Sequence, residues 1–288
     1  MLYGIRVVLT YLLGTDKAER NFAVFPDDTF VVSYPRSGNT WTRFLIANLA
    51  YPEETVTFAN IERLVPDTSS QSNRALKRTP RPRIIKTHQY FDHRYGKMIY
   101  VVRDPRDVAL SLYHFQRKYR QIPDDYPLEA SVNDFVRGNL ISIDWGTWGE
   151  NVASWIYTRG GGKDFLLLRY EDMVSDTPRE LSRVARHLGI AATPERLNNV
   201  VERCSADRMR ELEKLQQNDW VATAKHRKDI PFVGFAQAGG WRKRLPESCV
   251  AQIENAWGEL MTRLGYDLVS MSSSHRQTTS QEEVARRT

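Results

Sequence analysis

The chain has 288 residues, 41% of them hydrophobic and 26% charged, which supplies a real core and excludes a disordered or fibrous protein. Its formal net charge of +6 suits an anionic small molecule, a nucleic acid or a membrane surface alike and selects none of them. Two cysteines, Cys204 and Cys249, give neither a disulfide framework nor metal-ligand spacing, so a reducing, cytoplasmic setting is the default expectation.

Residues 1–14 are largely apolar, with Arg6 the one charge. The run is too short to span a bilayer and lacks a clear cleavage site. It reads as a helix packed on the domain, with a weak membrane-surface contact as the alternative. Thr29–Ser33 is the first candidate strand, followed by Arg83–Lys86, Met98–Val102 and Phe165–Leu168. These are short apolar runs, mostly β-branched, each too short for a full helix and followed by polar or turn residues. After the first strand, Trp41, Phe44, Leu45 and Leu49 recur at helical spacing. Pro66 to Pro82 is polar, basic and proline-punctuated and is expected to be an exposed loop. Asp104 before Pro105 has the form of an N-cap followed by a first-turn proline. Arg117 to Pro127 reads as a second loop. Thr177-Pro178-Arg179-Glu180 has capping-box spacing, and Gly189 can end that helix. From Ser270 onward the chain has little to bury. The expected organisation is one domain over 1–270 and a disordered tail over 271–288. Strands alternating with helices predict an α/β fold: a single three-layer domain around a central parallel sheet.

The strongest local feature is Tyr34-Pro35-Arg36-Ser37-Gly38-Asn39-Thr40-Trp41, between a strand and an amphipathic helix. Backbone N–H groups at a helix N-terminus attract phosphate or sulfate. Gly38 permits close approach, Ser37, Asn39 and Thr40 are donors, and Arg36 adds charge. The segment lacks the first glycine and the lysine of G-x-x-x-x-G-K-[ST], so a triphosphate site is poorly supported.

Tyr34 to Trp41 resembles the 5′-phosphosulfate-binding loop, usually Y-P-K-S-G-T-T-W, of sulfotransferases that use 3′-phosphoadenosine 5′-phosphosulfate (PAPS). The run from Ile99 to Phe115 resembles their 3′-phosphate-binding strand and helix. Lys86-Thr87-His88, Trp145-Gly146-Thr147-Trp148 and Tyr170-Glu171-Asp172-Met173 are weaker matches. The pattern is nearest the soluble branch of that family. The resemblance implies a fold related to the nucleotide kinases, PAPS as co-substrate, no metal, and sulfuryl transfer to a hydroxyl or amine. It implies that Arg36, Ser37, Gly38, Asn39 and Thr40 hold the 5′-phosphosulfate and that Trp41 stacks on adenine. Arg103 and Ser111 would hold the 3′-phosphate, and Tyr170 would border the adenine. His88 would be the catalytic base, while Lys86, Arg36 and the loop N–H groups would stabilise charge on the leaving oxygen.

Two departures stand out. Arg36 occupies a position where the family often has lysine. The third nucleotide segment, approximately R-K-G-x-x-G-D-W-K, is represented by Gly234 to Arg242. Gly239, Trp241 and Arg242 fit, and Arg242 is carried as a cofactor contact. Gly234 and Phe235 replace the Arg-Lys pair, leaving Arg242, Lys243, Arg244, Lys225, Arg227 or Lys228 as substitute cations. The dimerisation motif is not recognisable, so oligomeric state stays open. The expected acceptor is a small molecule, lipid or glycan. The aromatic stretch Trp145, Trp148, Trp155 and Tyr157 either lines its pocket or packs helices. The basic run Arg74, Lys77, Arg78, Arg81 and Arg83 is expected to be solvated. Three alternatives stand beside this reading: a P-loop phosphoryl-transfer enzyme with Asp104 on a metal, a non-catalytic nucleotide binder, and a nucleic-acid binder. The last rests on charge alone, with no reading helix or stacking platform, so nucleic acid is not an expected partner.

Overall fold

Four strands pair in parallel to make the central sheet of the computed structural model: β1 (Thr29–Ser33), β2 (Ile84–Thr87), β3 (Lys97–Val102) and β4 (Phe165–Arg169), in the order β2-β1-β3-β4. The structure describes residues 17–139, 145–216, 218–220, 223–234 and 237–269. The expectations for 1–14 and for the tail 271–288 lie outside the described residues. Helix α1 (Asn39–Ala50) follows β1, and short helices α2 (Ile61–Leu64) and α3 (Asn73–Arg78) precede β2. Helix α4 (Pro105–Lys118) follows β3, with α5 (Leu128–Arg137) and α6 (Trp148–Arg159) before β4. The elements after β4 are all helical: α7 (Tyr170–Ser175), α8 (Thr177–Leu188), α9 (Pro194–Arg203), α10 (Ala206–Gln216), a 3₁₀ turn (Gly240–Lys243) and α11 (Glu247–Arg263).

The period-two alternation of strand side chains divides the interior into two cores. Phe30 and Val32 of β1, with Met98, Tyr100 and Val102 of β3, enter one core with Val108 and Leu112 of α4. Val31, Ile99 and Val101 enter the other, with Phe44, Leu45 and Leu49 of α1. The two cores lie between the sheet and the helices on its two faces, the three layers predicted from strand–helix alternation. Because β1 and β3 are neighbours and their following helices take opposite faces, the two loops diverge at the carboxyl edge. That divergence opens a crevice, the usual ligand position in an open α/β sheet.

Three expectations need correction. The segment Pro66–Pro82 is not an exposed loop. Lys86 N donates to Pro66 O at 2.8 Å and Thr68 N to Lys86 O at 3.0 Å, so the segment starts alongside β2. It then forms α3, capped by Ser72 Oγ accepting from Ala75 N at 3.2 Å. Nor is the basic run uniformly solvated: the Arg83 and Asp28 side chains are 1% and 0% exposed and paired, with Nε donating to Oδ1 at 2.8 Å. At α8 the cap is Asp176 rather than Thr177, its Oδ1 accepting from Arg179 N at 3.1 Å. Gly189 ends that helix in the left-handed region at φ 74°. The Asp104–Pro105 start of α4 is as predicted, with Asp104 Oδ1 accepting from Arg106 N at 2.9 Å. No helix among the described residues is long and apolar enough to cross a membrane.

The two neighbouring aspartates make a stability test. Removing the Asp28 carboxylate leaves the Arg83 guanidinium buried and unpaired, so Asp28→Ala is expected to cost about 3–5 kcal/mol in urea unfolding. Asp27 pairs with Arg81 at the surface, with side chains 41% and 47% exposed, and Asp27→Ala is expected to cost much less than Asp28→Ala because solvent already screens that pair. Equal losses would refute this contrast.

Candidate functional site

The crevice between β1 and β3 continues as a cleft of 1110 Å³ lined by the β1–α1 loop, the end of β2, α4 and the 230s segment. In the β1–α1 loop, Arg36 has φ 68° and Gly38 φ 96°. Gly38 O accepts from Thr42 N at 3.1 Å and Thr42 Oγ1 at 3.2 Å, so the turn runs directly into α1. A Cβ on Gly38 would lie 2.5 Å from Cδ2 of Tyr170, so both the dihedral and the space demand glycine here. Asn39 Nδ2 donates to Ser33 Oγ at 3.0 Å, tying the helix start back to the strand. Ser37 Oγ and Asn39 Oδ1 are buried without a hydrogen-bond partner. Thr40 and Trp41 line the same wall, and Trp41 Nε1 is fixed by donation to Cys204 O at 2.9 Å. Asn39 Oδ1 is an acceptor and Ser37 does not line the cleft, so what suits this wall to an anion is the backbone N–H groups at the helix N-terminus with the Thr40 hydroxyl.

Across the cleft, Arg103 leaves the end of β3. Its guanidinium carbon lies 4.3 Å from the Tyr170 ring centroid, and Nη2 donates to Gln237 O at 3.0 Å. Arg103 Nε is buried and unpartnered. Ser111, in the second turn of α4, faces Arg36: Arg36 Nε donates to Ser111 Oγ at 3.1 Å. Tyr170 meets Trp41 edge-on, with centroids 6.0 Å apart. The geometry therefore gathers Arg36, Gly38, Asn39, Thr40, Trp41, Arg103, Ser111 and Tyr170 around one space. Asp107 anchors the turn that closes it, accepting from Gly239 N at 2.7 Å and Trp241 N at 2.9 Å. Arg242 is not brought in: it is exposed, 4.4 Å from the Trp241 ring centroid, while Gly240 and Arg244 of the same turn line the cleft.

At the end of β2, His88 Nδ1 lies 2.7 Å from Ser33 O. A carbonyl can only accept, so Nδ1 carries the hydrogen and Nε2 keeps its lone pair. Burial, and then the Lys86 ammonium, push the His88 pKa down to about 3 against the opposing Asp67 carboxylate and Ser33 carbonyl. The imidazole is thus a neutral, oriented acceptor at physiological pH. Lys86 Nζ donates to Asp67 Oδ2 at 2.7 Å in a buried pair. Burial lowers the Lys86 pKa, partly offset by Asp67. Burial alone would raise the Asp67 carboxyl, but Lys86 and Arg43 hold it well below the usual carboxylate range. Asp67 was absent from the sequence expectations, because its partner lies 19 residues away and nothing local marks it.

Of the aromatic stretch, Trp145 reaches the cleft, its ring centroid 5.3 Å from that of His88. Trp148 and Trp155 are fully buried core residues and Tyr157 is 56% exposed, so helix packing accounts for most of the run. Asp104 is not poised for a metal: Arg106 holds it, Nε to Oδ1 at 2.9 Å and Nη2 to Oδ2 at 2.7 Å. Among the described residues no group of three histidine, cysteine or acidic side chains has metal-binding placement.

A family model for the sulfotransferase domain matches residues 26–265. Sulfotransferase 1B1 of Canis lupus familiaris is 28% identical over 258 residues, covering 84% of this chain and 86% of that protein. Sulfotransferase 1A1 of Bos taurus is 30% identical over 207 residues, covering 66% and 68%. The fold is shared with retinol dehydratase in complex with retinol and PAP, at TM-score 0.72 and 22% identity, over 87% of this chain and 85% of that one. It is shared also with mouse sulfotransferase SULT7A1 complexed with PAP, at TM-score 0.69 and 24% identity, over 83% and 85%.

The oriented, uncharged imidazole can be observed directly. In an NMR titration with labelled histidine, His88 is expected to keep its Nδ1-protonated neutral form from pH 8 down to about 5, well above its depressed value and below the ordinary histidine midpoint. A midpoint near 6.5 would contradict the assignment. The sign for stability follows: an unfolded histidine protonates below about 6.5 while this one does not, so its contribution is complete above that pH and declines on acidification towards its folded value.

Proposed function

The chain belongs to the sulfotransferase domain family, and on that premise we propose that it transfers a sulfuryl group from PAPS to the hydroxyl of a small-molecule acceptor, with His88 as general base. One observation carries the base assignment: Nδ1 is committed to Ser33 O at 2.7 Å, leaving Nε2 as the proton acceptor at the carboxyl edge of the sheet. The residues present fit the nucleotide. Arg103 Nε offers a donor at one anionic end, and Gly38 clears space for backbone N–H contact at the other. Trp41 and Tyr170 supply ring faces for the base.

PAPS supplies an activated sulfuryl group whose bond to phosphate oxygen breaks as the acceptor oxygen bonds to sulfur. The chain's share is orientation and charge. His88 Nε2 takes the acceptor proton as that bond forms. Loop N–H groups and Lys86 stand at the end where negative charge develops. Asp67 holds the Lys86 ammonium in place, so its position is set before the nucleotide enters. The wall beside His88 combines Trp145 with Asp67, Ser69 and Ser70, a mixed surface that supports an acceptor carrying both a ring face and hydroxyl groups. A phosphoryl-transfer reading is disfavoured because Asp104, its candidate metal ligand, is bound to Arg106.

Transfer of ³⁵S from labelled PAPS to an acceptor mixture tests the activity. His88→Ala is expected to lower transfer by about 10²–10⁴-fold while adenosine 3′,5′-bisphosphate binding stays near wild type. Parallel loss of binding and transfer would remove the base assignment.

A further inference from the structure

Arg36 departs from the family pattern in identity, and its side chain is directed to α4. The residue sits at φ 68°, a region that costs a non-glycine residue free energy and persists only when its surroundings fix it. What fixes it is on α4 and the 230s segment: Nε donates to Ser111 Oγ at 3.1 Å and Nη2 to Phe232 O at 3.4 Å. The guanidinium carbon lies 4.9 Å from the Phe115 ring centroid and 4.8 Å from that of Phe232. Arg103 Nη1 reaches the Arg36 carbonyl at 3.4 Å. Two guanidinium groups and the Ser111 hydroxyl therefore converge at the α4 end of the cleft. Asp107 stands 3.9 Å from Arg103, but Arg36 has no carboxylate partner among the described residues. Burial, with Arg103 adding to it, lowers the Arg36 pKa to about 10 despite opposition from Tyr119. A guanidinium held this way, with no carboxylate in ion-pair contact among the described residues and only the more distant Glu213 opposing, is prepared for an anion.

The sequence supplies the reason such a cation is needed. Gly234 and Phe235 stand where the third nucleotide segment has its Arg-Lys pair, and Arg242 points outside the cleft. We propose that Arg36 is a ligand of the 3′-phosphate, replacing that missing pair together with Arg103 and Ser111, and not a ligand of the transferring 5′-phosphosulfate. The inference rests on the PAPS reading of the cleft. It makes the lysine-to-arginine exchange in the loop and the loss of the distal pair one compensating change: the longer, forked side chain crosses from the loop to α4.

Calorimetric titration with adenosine 3′,5′-bisphosphate and with adenosine 5′-monophosphate separates the two roles. Wild type is expected to prefer the bisphosphate. Arg36→Met, which keeps an apolar chain against Phe115 and Phe232, is expected to lose about tenfold or more in bisphosphate affinity, with monophosphate affinity nearly unchanged. Arg36→Lys, which retains charge and length, is expected to show the same selective loss in smaller measure. Equal loss for both ligands would assign Arg36 to the 5′ end and overturn the proposal, as would no loss for either. A variant whose thermal midpoint drops enough to prevent titration is replaced by Arg36→Lys for the decision. Failure of wild type to bind the bisphosphate would instead overturn the PAPS reading itself, and this inference with it.

Discussion

The close approach of the β1–α1 turn to Tyr170 governs the cleft. With φ at 96° and a would-be Cβ 2.5 Å from the ring, Gly38 is the residue that lets α1 begin where it does. That start sets the direction of the α1 N-terminus, and Asn39 locks it to Ser33 of β1. The backbone carbonyl of the same residue receives His88 Nδ1. One strand end therefore positions both the anion cradle and the imidazole, and any displacement of the turn moves them together. Tyr170 closes the arrangement from β4 and carries Arg103 on its ring.

Charge in the cleft is organised by burial as much as by ion pairing. Lys86 and Asp67 neutralise each other beside His88, yet the imidazole pKa remains depressed because desolvation outweighs the carboxylate. A neutral base at this edge accepts a proton without first having to lose one. At the other end, Arg36 and Arg103 are not neutralised to the same degree. The cleft is thus polarised, with its uncompensated positive charge near α4 and a paired, balanced network near β2. That polarity suits a ligand with a highly anionic distal group and a reacting end whose leaving oxygen gains negative charge during transfer.

Much of this was legible from the residues. All four strands fall within about a residue of their predicted bounds, the ordinary scatter of strand ends, because short β-branched runs flanked by turns have few other conformations. The strand–loop–helix at Tyr34–Trp41 was equally plain, since Gly38 and its clustered donors are local in sequence. Pairings across distance were not legible. Arg83 looked like a solvated charge in a basic run until Asp28, 55 residues away, buried it. The supposed loop at Pro66–Pro82 holds α3 because Ser72 caps it and Leu76 is buried in the core. Asp67 could be matched to Lys86 only once the chain was seen to run beside β2. Trp148 and Trp155 carried the same aromatic signature as a pocket wall, and only burial separates them from Trp145. Arg36 was read by its place in the loop, whereas its backbone dihedral directs the side chain to α4.

A ³¹P NMR titration of adenosine 3′,5′-bisphosphate in the presence of a metal chelator is the most direct test of the two-ended grip. Both phosphorus resonances are expected to shift or broaden saturably as protein is added, because in the proposed assignment the β1–α1 loop and the arginine cluster each hold one phosphate. Spectra in which neither resonance responds, or in which binding appears only when Mg²⁺ and a triphosphate are supplied, would contradict the assignment of this cleft.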